Sequence, residues 1–249
     1  MVVGLLLSML AAVGGGVGGA AARGATKPAA PPPRFLNIVH HRLKRGAPAP
    51  YSGVEASIVA AFERAKVPLY WMTFHSTRDP RDILYLNAFD AASDLARADD
   101  TYRALSPQHP ELAKLSGRLS ALIESQASLL TARRDEIAYT RRDIDFNTMR
   151  ALLLVTFHVK AGHEGKFMEA ARKAGSEPWI VYEATEEPTF VLLAPVRSRA
   201  EAKRHAPIPR PIRELPGIYR RTPTEVYALV PSMSRLPIVR PPAPAGRTR

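Results

Sequence analysis

The feature that most constrains this chain is a strand, turn and helix pattern that occurs twice. Phe35–His41 (FLNIVHH) is rich in β-branched and aromatic residues and runs into Leu43, Lys44, Arg45 and Gly46. Leu152–Val159 (LLLVTFHV) runs in the same way into Lys160, Ala161 and Gly162. Each turn is followed by an aromatic that opens a helix, Tyr51 in one case and Phe167 in the other, and the two glycine-to-aromatic stretches align without a gap. A period of about 110 residues marks a duplicated domain and not a solenoid.

The segments after each turn extend the parallel. Val54, Ile58, Ala61, Phe62 and Ala65 keep one helical stripe that Pro68 should stop, and strands follow at Leu69–His75 and Ile83–Phe89. Asp90 is placed to cap a helix through Ala91, Ala92, Leu95 and Ala98, and Ile137–Thr140 reads as the last strand of this half. The second half gives a helix on Phe167, Met168, Ala171 and Ala174, strands at Trp179–Ala184 and Thr189–Ala194, a helix from Ser198 to Arg204 and a strand at Glu225–Val230. Each half therefore reads β-α-β-β-α-β, the ferredoxin-like order, in an α+β chain. Pro110–Ala132, with Leu112, Leu115, Leu119, Leu122, Ile123 and Leu129, breaks the symmetry as one long amphipathic helix inserted in the first half. The expected domains are 35–146, with the inserted helix at 110–132, and 147–231.

Two such units, each opening on a hydrophobic strand and a Lys-x-Gly turn (LKRGAPAPY and VKAGHEGKF), resemble the dimeric α/β-barrel superfamily. The resemblance spans Phe35 to Val230. It implies that the two sheets close face to face into a pseudo-symmetric barrel, within one chain or between two. Members include quinol-type and antibiotic-biosynthesis monooxygenases, haem-degrading enzymes, dye-decolourising peroxidases and small ligand-binding proteins. The haem-degrading members use an Asn, a Trp and a His around the macrocycle. Asn37 lies on the first strand as theirs does, but Trp71 falls on the second strand and Ala91–Leu105 holds no histidine, so no cofactor is assigned.

Strand alternation then nominates a site. If Leu36, Ile38, Leu84, Leu86 and Ala88 meet the helices, Asn37, Val39 and His41 face the barrel interior, with Trp71, Thr73 and His75 from the second strand and Tyr85 and Asn87 from the third. Asn37, His41, Trp71, His75, Tyr85 and Asn87 are thus expected to line a pocket for a small apolar or aromatic molecule, with His75 and His41 as the candidates for catalysis. The second half offers almost no polar group on its first strand. Three readings follow: a small-molecule-binding protein, a cofactor-independent monooxygenase of an aromatic or quinol-like substrate, and an envelope-associated structural protein with a filled barrel.

Composition narrows the rest. The chain has no cysteine, which excludes disulfides, thiol catalysis and thiolate-held metals. His158 and His163 lie around a turn with no third ligand nearby, so no metal is expected. From Val2 to Ala22 no side chain is charged, and Leu5, Leu6, Leu7, Met9 and Leu10 precede a Gly/Ala-rich stretch, so residues 1–22 read as an export signal, with an N-terminal membrane anchor as the alternative. Residues 23–34 are a Pro/Ala-rich linker and 232–249 a Pro/Arg-rich tail, both expected to be unstructured. The net charge of +12 would then favour anionic envelope surfaces. No nucleic-acid motif accompanies it, and a monomer or homodimer is expected.

Overall fold

The computed structural model describes residues 32–66, 69–137, 149–174, 179–205, 208–215 and 217–235. Among them are nine strands, β1 (Phe35–Leu43), β2 (Met72–Ser76), β3 (Asp82–Phe89), β4 (Ile123–Arg133), β5 (Ala151–Val159), β6 (Ile180–Ala184), β7 (Thr189–Val196), β8 (Tyr219–Arg221) and β9 (Glu225–Leu229). Six helices accompany them: α1 (Pro48–Arg64), α2 (Ser93–Leu105), α3 (Pro110–Leu122), α4 (Glu164–Lys173), α5 (Arg199–His205) and α6 (Arg210–Arg213).

Eight of the strands close on themselves. The order runs β7-β6-β4-β1-β3-β2-β9-β5, and β5 returns to β7 through Ala151↔Val196 to His158↔Thr189. Every ladder is antiparallel, and β8 adds to the end of β5. The barrel therefore closes within one chain, which satisfies the backbone groups that an open edge would leave unpaired. The seams between the halves are β2 on β9, with Phe74 opposite Leu229, and β4 on β6, with Thr131 opposite Ala184.

The turn that opens each half needs its glycine. Gly46 has φ +76 and Gly162 φ +80, in the left-handed region that other residues enter at a cost. After Gly46, Pro48 starts α1 with its ring already at helical φ, and Val54, Ile58, Ala61 and Phe62 bury one stripe.

Several expectations are corrected. The helix expected over 110–132 stops at Leu122, and Ile123–Arg133 is the strand β4 that stands in place of the one expected at Ile137–Thr140. The leucine stripe suits a helix, but a strand here pairs with the whole of β1, from Phe35↔Ala132 to Leu43↔Ile123. That ladder outweighs local propensity. Ile137 sits in a bend, and residues 138–140 lie outside the described set. The helix expected to be capped by Asp90 starts at Ser93; Asp94, buried in its first turn, accepts the Ala91 N–H at 2.9 Å. β8 had no counterpart in the sequence reading. Met233, inside the expected tail, is buried, and Arg235 bridges Trp71. The rest of the tail, the export signal and residues 23–31 lie outside the described set.

Three cores follow from the closure. One lies between α1, α3 and the first half of the barrel wall, a second between α4, α5, α6 and the other half, and a third lies in the lumen. Leu36, Ile38, Leu84 and Leu86 belong to the lumen, where they meet Leu152, Leu154, Val191 and Leu193. This reverses the expected facing of Asn37, Val39, His41, Trp71, Thr73, His75, Tyr85 and Asn87, which lie on the helix side of the sheet. A closed barrel wrapped by helices buries both faces of its strands, so the more apolar face need not be the one against the helices.

Candidate functional sites

On the helix side of the first half, four side chains from three elements meet in one chain of hydrogen bonds. His41 Nδ1 on β1 lies 2.6 Å from the Tyr51 hydroxyl on α1, Tyr51 bonds the Tyr85 hydroxyl on β3, and Tyr85 donates to Glu55 Oε1 on α1 at 2.7 Å. All four are buried, Glu55 with 2% of its surface exposed. α1 brings Tyr51 and Glu55 to one face because they are four residues apart. Burial pushes the Glu55 carboxyl up to about 7, against which the Tyr85 bond works only in part. Burial likewise lowers His41 to about 4, with His40 nearby adding to the shift. Both tyrosines are held far above the ordinary phenol range by burial and by Glu55. At neutral pH His41 and both tyrosines are therefore uncharged while Glu55 is near its midpoint, and a single direction of donation from His41 to Glu55 lets each hydroxyl donate once and accept once.

Further along the same face, Asn37 and Asn87 sit opposite each other on β1 and β3. Ser128 Oγ donates to Asn37 Oδ1 at 2.7 Å, and Asn87 Nδ2 donates to the Asn37 carbonyl at 3.4 Å. Among the described residues, Asn37 Nδ2, a donor, and Asn87 Oδ1, an acceptor, are buried without a hydrogen-bond partner. Asn37 is on the wall of a cavity of about 500 Å³ with Leu95 of α2, Ser128, Leu129 and Leu130 of β4, and Thr185, Glu186 and Glu187 of the β6–β7 turn.

The sequence-predicted residues thus divide. The structure brings His41 and Tyr85 together, with ring centroids 4.9 Å apart, and pairs Asn37 with Asn87. Trp71 stands apart: its indole donates to the Met233 carbonyl at 2.9 Å, and its ring packs edge-on against Phe62. His75 is half-buried, burial lowers its pKa, and its Nε2 has no partner. The reading missed Tyr51 and Glu55 as site residues, whose signal was their i, i+4 spacing on the otherwise apolar buried face of α1. It also missed the polar residues that face the lumen, His40, Asp82 and Tyr227.

No group of three or more metal-ligating side chains is present among the described residues. A haem, which part of the resembled superfamily binds, does not fit these residues either. α2 carries no histidine, Trp71 is committed to Met233, and His41 is committed to Tyr51.

No protein-family model matches the sequence, and no curated protein matches it. Solved structures are similar to it at low sequence identity. An anthrone oxidase-like protein superposes with a TM-score of 0.50 at 11% identity, covering 79% of this chain and 92% of its own. The encapsulated DyP-type peroxidase from Mycobacterium smegmatis gives 0.49 at 9% identity, over 82% of this chain and 94% of its own. A mutant chlorite dismutase from Candidatus Nitrospira defluvii, in complex with cyanide, gives 0.48 at 9% identity, over 81% and 92%. With the eight-strand closure, the likeness to the anthrone oxidase-like protein shows a shared barrel fold and no more.

Proposed function

We propose that this is a small-molecule-binding protein whose ligand, a compact molecule with an apolar or aromatic body, occupies the cavity at Asn37. The observation that carries the reading is Asn37 Nδ2, a fully buried amide donor with no partner on the wall of that cavity. A buried donor left unsatisfied costs about 1–3 kcal/mol, which an acceptor atom on a ligand would recover. Leu95, Leu129 and Leu130 supply apolar wall for the body of such a molecule.

The monooxygenase reading has less support in the geometry, because His41, Tyr51, Tyr85 and Glu55 bond one another. The matching strand orders β4-β1-β3-β2 and β9-β5-β7-β6 support two tandem ferredoxin-like units as the origin of the barrel. Export through residues 1–22, and weak attachment to an anionic envelope surface, complete the proposal, on the strength of the uncharged stretch and the net charge of +12.

Native mass spectrometry of the purified full-length chain tests the binding reading. A small molecule retained by the wild type and lost in Asn37→Ala, with circular dichroism unchanged, is the expected result. Finding nothing retained, and no thermal shift with a panel of aromatic acids, amides and quinols, would overturn it. Quinol-dependent oxygen uptake that His75→Ala abolishes would replace it with the monooxygenase.

A further inference from the structure

We propose that the barrel lumen holds a second binding site, which adjoins the Asn37 cavity at Ser128, Leu129 and Glu187 but does not include Asn37, and that it takes a small organic cation with an apolar body. The lumen is filled at one end by Leu36, Met72, Leu86, Ile180 and Tyr182, but at the other it opens into a cavity of about 420 Å³. That volume lies within the roughly 300–1,000 Å³ of pockets that enclose small molecules. Its floor is apolar, made by Ile38, Leu84, Leu129, Leu154 and Val191. Its rim carries Asp82, Glu187 and Glu225 with His40 and His158, and among the described residues no lysine or arginine lines it, in a chain that has 35 of them.

The rim is built, not merely acidic. Asp82 has only 13% of its side chain exposed, and its Oδ2 accepts the Tyr227 hydroxyl at 3.4 Å. Tyr227 also meets His40 Nε2 at 3.0 Å. Asp82 Oδ1 lies 2.9 Å from that same nitrogen yet has no aligned donor, since His40 is turned toward Tyr227. Glu225 takes a hydrogen bond from Ser76 at 3.2 Å and is reached by Arg78 from the exposed side at 3.3 Å. Burial, and then the negative charges of Asp82 and Glu225, hold the Tyr227 phenol far above its ordinary range. An ammonium group would give Asp82 Oδ1 its missing donor and offset the carboxylates where water is scarce, and its hydrocarbon part would cover the leucines below. An anion of the same shape would meet like charge.

The test uses the full-length chain and three probes of one shape, 2-phenylethylammonium, 2-phenylethanol and 3-phenylpropionate, in isothermal titration calorimetry. The expected result is saturable binding of the ammonium, one per chain, at least tenfold tighter than the alcohol, and no measurable binding of the acid. Asp82→Asn and Glu225→Gln should each weaken the ammonium about tenfold, the scale of one charge-assisted contact. Glu225→Gln covers the case in which Asp82→Asn fails to fold. Leu154→Trp should fill the floor and abolish binding, whereas Asn37→Ala should leave it unchanged, which separates this site from the one above. Equal affinity for ammonium and alcohol, no saturable ammonium binding, or binding that survives Leu154→Trp but not Asn37→Ala would each overturn the proposal.

Discussion

The two halves of the barrel share a backbone and differ in what they place under their helices. On the helix side, Asn37, His41 and Tyr51 in the first half stand where the second has Leu153, Phe157 and Phe167. The opposing strand places Tyr85 and Asn87 where its counterpart has Leu192 and Ala194, as the ladders fix. The turns match as well: the N–H of Ala47 bonds the Lys44 carbonyl at 3.1 Å, and the N–H of His163 bonds the Lys160 carbonyl at 3.0 Å. In the second half Phe167 stacks on Phe190 with centroids 4.7 Å apart and touches Phe157 at 5.1 Å. The same position in the first half holds a row of titratable groups. One half therefore shows what the fold needs for stability. The other carries polar groups that packing alone does not call for.

That contrast can be broken most sharply at its apolar pole. Phe167→Ala removes a fully buried ring from the centre of the second core and should cost about 3–5 kcal/mol, read as a lower urea midpoint. A much smaller loss would mean that the second half is not the rigid partner.

The next effect belongs to the polar pole and depends on pH. Glu55 titrates at about 7 in the folded chain against 4.5 ordinarily, so its contribution to stability is present below 4.5 and is lost as the pH rises through 7. His41 has the opposite sign: lowered from 6.5 to about 4, it contributes above 6.5 and loses that contribution as the pH falls through 4. Between 4.5 and 6.5 the two slopes oppose each other and largely cancel. Glu55→Gln removes one of them. The stability of the wild type minus that of Glu55→Gln should fall by about 3 kcal/mol from pH 4.5 to 7, measured by urea unfolding across the range. A difference that stays flat would place the Glu55 carboxyl in water.

Tyr85→Phe comes next. It keeps the ring and deletes the one hydroxyl that joins Tyr51 to Glu55, leaving a buried donor and a buried acceptor without partners. A loss of about 1–3 kcal/mol is expected. Leu192→Ala at the equivalent position tests packing alone, so the pH dependence of its loss should be flat where that of Tyr85→Phe is not.

These contrasts also mark what the sequence could and could not show. The strand order, the paired turns and the polar character of the first half were legible, because alternation, glycine placement and aromatic spacing are local signals. The facing of Asn37 and His41 was not. Period-2 alternation says which residues share a face, but closure decides which face turns inward, and that depends on contacts between residues such as Leu36 and Leu152 that are far apart in the chain. Ile123–Arg133 was misread for a related reason: its leucines continue the stripe of α3, and only the ladder with β1 makes a strand of them. His40 and Asp82 were legible as residues, but their meeting with Tyr227 depends on β9 lying beside β2, a crossing between the halves.

The smallest effect tests the premise of the comparison itself. Gly46 and Gly162 hold the same left-handed turn, and a methyl group added at either would meet no atom within 4 Å. Alanine at these positions costs only the backbone preference, about 1–2 kcal/mol, with nothing from packing. If the two halves are one architecture with two fillings, Gly46→Ala and Gly162→Ala should lower the urea midpoint equally, although one turn leads to a buried carboxyl and the other to a stack of phenylalanines. Unequal losses would mean that the turns feel the chemistry beneath them, and the description of the two halves as one architecture with two fillings would then have to be given up.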